Sequence, residues 1–124
     1  MPKESPLIFV VDDEVLITET LAMILLANGY SALPFMDPLK ALSYVNMRVP
    51  DLLLTDVRMP HMSGVELGIE VRKRCPACKV LLFSAHVTSG DLLNDKRIAR
   101  EGFHLLEKPV PPKELLEKID DLLT

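Results

Sequence analysis

The chain has 124 residues, 18 acidic and 14 basic side chains for a net charge of −4, and a composition that is 48% hydrophobic and 26% charged. That size suits one compact domain with a single core, and that composition excludes a disordered chain. The acidic balance removes the electrostatic footprint of a domain that binds nucleic acid by itself, and no apolar run is long enough to span a bilayer.

The first apolar run, Leu7–Val11, contains β-branched residues and reads as a strand buried on both faces. It ends in Asp12-Asp13-Glu14, which is unlike a secretory signal, so a cytoplasmic protein is the expectation. Residues 14–28 are helical, with Ile17, Leu21, Ile24 and Leu25 at helical spacing and Asn28-Gly29 as the stop. Ser31–Phe35 is a weaker strand. Asp37-Pro38 caps a second helix over residues 38–47, closed by Pro50-Asp51. Residues 52–55 form the third strand, followed by Asp56, the Met59-Pro60 turn and Gly64. The spacing then predicts a helix over 65–74, with Val65, Leu67, Ile69 and Val71 as its main apolar positions, and a strand over 79–83 ending at Ser84-Ala85. A more polar helix over 90–100 and a short strand over 103–106 lead to Glu107-Lys108-Pro109. Pro111-Pro112 opens the last helix, with Leu115, Ile119 and Leu122 on one stripe and Leu116 and Leu123 beside it.

Five strands alternating with five helices through short loops imply an α/β fold: a parallel sheet with helices on both faces. Ligands in such sheets sit beyond the carboxyl ends of the strands, where strand order reverses. The polar residues of this chain collect at those ends: Asp12, Asp13, Asp56, Ser84 and Lys108. Carboxylates so placed repel one another without a cation, and a hard divalent ion such as magnesium satisfies them with oxygen ligands. Lys108 adds a compact positive charge and Ser84 a hydroxyl donor, both suited to the oxygens of a transferring phosphoryl group. A carboxylate held in line with that phosphorus can accept it as an aspartyl phosphate.

In VVDDE, LLLTDVRMPHMSG, LLFSAH and LLEKPV, taken in that order, the chain resembles the receiver domains of bacterial two-component response regulators over essentially its whole length. The resemblance implies a flavodoxin-like doubly wound (βα)5 fold with strand order 2-1-3-4-5. It implies Asp56 as phosphoacceptor, Asp12 and Asp13 as the acidic pair with Asp13 the direct Mg2+ ligand, and the backbone carbonyl of Arg58 as a further ligand. Ser84 matches the hydroxyl residue that swings toward the phosphoryl group, Lys108 the lysine that pairs with it, and a cis peptide is implied before Pro109. The implied partners are a histidine kinase or a histidine phosphotransfer protein, with a dimer partner or output domain engaged through the last two helices and strand. Phosphorelay signalling by a phosphoacceptor, not an enzyme, follows, with residues 1–124 as a single domain or a piece of a longer regulator. Two departures stand out: Leu105 occupies the position of the usual aromatic, with Phe103 two residues earlier, and the approach from Gly102 to Lys108 is a residue shorter. Arg58 and His86 occupy positions that influence the lifetime of the aspartyl phosphate.

Other features have plainer readings. Cys75 and Cys78 form a C-x-x-C, but it follows a basic helix and precedes a strand, the wrong end of both for a redox pair, and zinc would need two more ligands. His61, His86 and His104 lack ligand spacing. Ala22, Met23, Leu26 and Ala27 add apolar surface on the first helix beyond the sheet-facing stripe, as a docking surface for a phosphodonor would. A haloacid-dehalogenase-type phosphatase needs an Asp-x-Asp after the first strand, where this chain has Asp12-Asp13-Glu14. A flavin binder needs a phosphate-cradling loop there, and a receiver that no longer signals would not keep every phosphorylation residue.

Overall fold

The computed structural model describes residues 5–85, 92 and 94–124. Their elements are β1 (Leu7–Val11), α1 (Val15–Ala27), β2 (Ser31–Phe35), α2 (Pro38–Tyr44), β3 (Leu52–Asp56), α3 (Gly64–Arg74), β4 (Lys79–Ser84), α4 (Lys96–Glu101), β5 (His104–Glu107) and α5 (Pro112–Leu123). The strands form one parallel sheet in the order β2-β1-β3-β4-β5, the flavodoxin-like arrangement. No helix among the described residues is long and apolar enough to cross a membrane.

Alternation along each strand divides the core into two layers. Phe9, Val11, Leu53, Val80 and Leu82 face α2, α3 and α4, whereas Ile8, Val10, Leu52, Leu54, Leu81 and Phe83 face α1 and α5. Both faces of β1 are buried, so the strand needs an unbroken apolar run and has one.

Several boundaries differ from expectation. On α1 the fully buried positions are Thr18, Ala22 and Leu25, so Ala22 faces the core while Met23 and Leu26 remain exposed. The Thr18 hydroxyl donates to the Val15 carbonyl oxygen (3.0 Å), which lets a polar residue occupy the buried stripe. Helix α2 ends at Tyr44, and residues up to Met47 turn through tighter bonds such as Met47 N–H to the Tyr44 carbonyl (2.9 Å). The expected helix over 90–100 lies partly outside the described residues. Within them, Asp95 is an N-cap whose side chain accepts from the Arg97 N–H at 3.0 Å, and α4 begins at Lys96.

Candidate functional site

Because β1 and β3 are neighbours while the chain leaves them toward opposite sides of the sheet, their carboxyl ends frame the switch point in strand order. Asp12 follows β1 and Asp56 ends β3. Carboxylate oxygens of Asp12, Asp13 and Asp56 all lie within 4.8 Å of one another. Asp12 is wholly buried, Asp56 is partly buried and Asp13 is exposed, so the cluster opens to solvent on one side. From the end of β5, Lys108 brings its ammonium to 2.9 Å from Asp12 Oδ2 and 3.6 Å from Asp56 Oδ2.

Short-range bonds hold these groups. Asp12 Oδ1 accepts the Glu14 N–H (2.9 Å), turning the chain into α1, and Asp56 Oδ1 accepts the Val57 N–H (2.8 Å). The Lys108 N–H donates to the Ser84 carbonyl (2.9 Å), tying β4 to the loop that carries the lysine, and the Lys108–Pro109 peptide is cis. Gly64 packs so closely beneath the Asp56 carbonyl that a Cβ there would overlap the oxygen, and its N–H donates to the Val57 carbonyl (2.8 Å). Ser63 and Glu66 form a reciprocal capping box that starts α3 at this point. In the turn between, His61 has a φ of 74°, an uncommon conformation for a residue with a side chain.

Electrostatics follow from this packing. Burial pushes the Asp56 carboxyl above the usual range, and the Asp12 and Asp13 carboxylates add to the rise, while the Lys108 ammonium and the Val57 N–H oppose it. The Lys108 ammonium pairs with Asp12 and Asp56 but not with Asp13, leaving an excess of hard oxygen donors that suits a small divalent cation.

Asp12, Asp13, Asp56 and Lys108 thus come together as the sequence predicts, and Ser84 lies buried at the same end of the sheet. Arg58 is exposed in the loop after β3, and His86 lies outside the described residues. Leu105 is partly buried against the core layer under α3, and the Phe103 ring is locked beside Gly68 with the Arg72 guanidinium 5.5 Å from its centroid. Cys75 and Cys78 are both buried in the α3–β4 turn, with the Cys78 thiol pushed up to about 12, chiefly by burial. Sequence reasoning missed Phe83, whose ring centroid lies 4.5 Å from Lys108 Nζ, because any apolar residue in a buried strand looks alike.

Comparison with known proteins agrees with this geometry. The chain is 31% identical over 117 residues to the transcriptional regulatory protein GlrR of Escherichia coli (strain K12), covering 94% of this chain and 26% of that protein. The chain therefore spans about a quarter of that relative's length. A receiver domain protein (CheY-like) from Methanospirillum hungatei JF-1 superposes with a TM-score of 0.87 at 28% identity, covering 96% of this chain and 94% of that one. The response regulator TrrA of Thermotoga maritima, solved in complex with Mg2+–BeF, has a TM-score of 0.83 at 30% identity, covering 95% and 99%. The response regulator receiver domain family model matches residues 8–120, and the chain belongs to that family.

Proposed function

We propose that Asp56 is the phosphoacceptor of this receiver domain and that it takes its phosphoryl group from a phosphohistidine donor. The observation that carries this is the cluster itself: three carboxylates with oxygens within 4.8 Å of one another, two of them bridged by Lys108, at the switch point of a parallel sheet. The carboxylate oxygen of Asp56 not held by Val57 attacks phosphorus, the P–O bond forms as the P–N bond breaks, and the leaving imidazole nitrogen keeps the electron pair. Burial aids this step, because a carboxylate whose proton affinity is raised is a stronger nucleophile. Lys108 pairs with the phosphoryl oxygens, and the Ser84 hydroxyl donates to one of them.

The grouped carboxylates of Asp12, Asp13 and Asp56 support Mg2+ binding here, with the backbone carbonyl of Arg58 as the further ligand that the family resemblance implies, and the TrrA relative was solved in complex with Mg2+–BeF. Bound there, the ion would supply charge neutralisation for the carboxylates and the phosphoryl oxygens. As Ser84 and Lys108 close on the phosphoryl group, the surface formed by α4, β5 and α5 shifts between two states and engages an output partner. Exposed Leu16, Met23 and Leu26 give α1 an apolar face for the donor, in a protein that works in the cytoplasm.

Mass spectrometry after treatment with acetyl phosphate and Mg2+ tests the assignment. Wild type should gain one phosphoryl group and Asp56→Asn none; a gain that persists in the variant refutes it. For the donor face, Met23→Lys with Leu26→Lys should slow phosphotransfer from the cognate donor while leaving acetyl phosphate labelling unchanged. An unchanged transfer rate would sink that part.

A further inference from the structure

The two ion pairs account for only part of the surroundings of the Lys108 ammonium. Nζ also faces the ring of Phe83, 4.5 Å from its centroid. Phe83 pairs in register with Asp56, so β3 and β4 deliver the carboxylate and the ring side by side. The ring is only 4% exposed and belongs to the core layer under α1 and α5, so packing holds its face in place.

The lysine has an alternative. An apolar cavity of about 430 Å³, lined by Ile17, Leu21, Leu54, Phe83, Val110 and Leu115 among others, also touches Lys108. A flexible four-carbon stem gains by folding against such a surface while its head seeks water. The electron-rich ring face attracts the ammonium instead.

We propose that Phe83 is a positioning residue for Lys108: its ring face holds the ammonium at the gap between Asp12 and Asp56, where an arriving phosphoryl oxygen meets it. The inference rests on Asp56 being the phosphoacceptor. An aliphatic side chain at position 83 fills the core but presents no negative face, so the lysine spends less time at the gap.

The experiment is a double-mutant cycle on the full chain, reading the initial rate of labelling by acetyl phosphate in saturating Mg2+. Phe83→Leu should slow labelling about fivefold when Lys108 is present, the equivalent of about 1 kcal/mol. It should leave the slower rate of Lys108→Ala unchanged, and Phe83→Tyr, which keeps the ring face, should stay within about twofold of wild type. A second readout needs no phosphorylation: the Lys108 Hε protons should show an upfield ring-current shift in wild type and Phe83→Tyr that is lost in Phe83→Leu. Equal slowing in both lysine backgrounds, or no slowing at all, overturns the proposal, as does an absent ring-current shift. If Phe83→Leu folds poorly, Phe83→Met replaces it with the same expectations. Failure of wild type to label at Asp56 breaks the phosphoacceptor reading instead, and the ring-current result still judges the contact.

Discussion

Lys108→Met keeps most of the aliphatic stem and removes only the charge. It leaves Asp12, wholly buried, facing Asp56 without the ammonium that pairs with both. At an effective dielectric constant of about 20, the contacts at 2.9 and 3.6 Å correspond to gross attractions of about 6 and about 5 kcal/mol. Much of that offsets desolvation of the lysine. Removing one partner of a buried pair costs about 3–5 kcal/mol, and a lysine side chain still 20% exposed belongs at the lower end, at about 3 kcal/mol. With a urea slope of about 2 kcal/mol/M, the unfolding midpoint of metal-free protein should fall by about 1.5 M. Mg2+ should then stabilise the variant more than wild type, because the ion meets carboxylates that no ammonium already neutralises. Urea titrations followed by far-UV circular dichroism, in EDTA and in Mg2+, measure both effects. A midpoint change under about 0.3 M, or equal gains from Mg2+ in the two proteins, would refute the reasoning.

Asp56 gives a pH prediction. Its folded-state carboxyl binds a proton more tightly than the unfolded one, so stability of the metal-free protein is lost as pH rises from the ordinary carboxylate value through the raised one. Asp56→Asn should flatten that part of the profile in EDTA; a matching slope in the variant would assign the loss elsewhere. Gly64→Ala should destabilise by about 3 kcal/mol or more, since the added Cβ meets the Asp56 carbonyl rather than a movable side chain, and should slow labelling; a thermal melt like that of wild type would contradict this. Both thiols should stay unreactive toward Ellman's reagent at pH 8 until the fold is opened, because burial raises them and Cys78 reaches about 12. Rapid native labelling of Cys78 would show that the turn opens.

The strands and the acidic cluster were legible because the central strands β1, β3 and β4, buried on both faces, require long apolar runs, and charged residues then fall at their ends. Asp12, Asp56 and Ser84 mark those ends, and Lys108 that of β5. Other features depend on choices that hydrophobicity does not encode. The large residues Ile17, Leu21 and Leu25 of the expected α1 stripe do pack on the core, but Thr18 and Ala22 share the contact because one satisfies its hydroxyl on its own helix and the other is small, which a stripe drawn through large apolar residues leaves out. Asp95 looked like a residue inside a helix and proved to be a cap. The contact of Phe83 with Lys108 spans two strand ends, and neither sequence neighbourhood carries a trace of it.

At the far end of the sheet, Asp51 acts as a rivet. Its carboxylate accepts the Leu7 N–H (2.7 Å), its own N–H donates to the Leu7 carbonyl (2.8 Å), and its carbonyl accepts the Lys79 N–H (3.0 Å). One residue thereby aligns the first residues of β1, β3 and β4, the three strands whose opposite ends carry Asp12, Asp56 and Ser84. A slip of one residue in any of them would exchange its two buried faces between the core layers and displace its functional group by a full strand step. Alignment is therefore secured at the end where no chemistry occurs. The loops at the other end carry the reacting groups without also having to set how the strands line up.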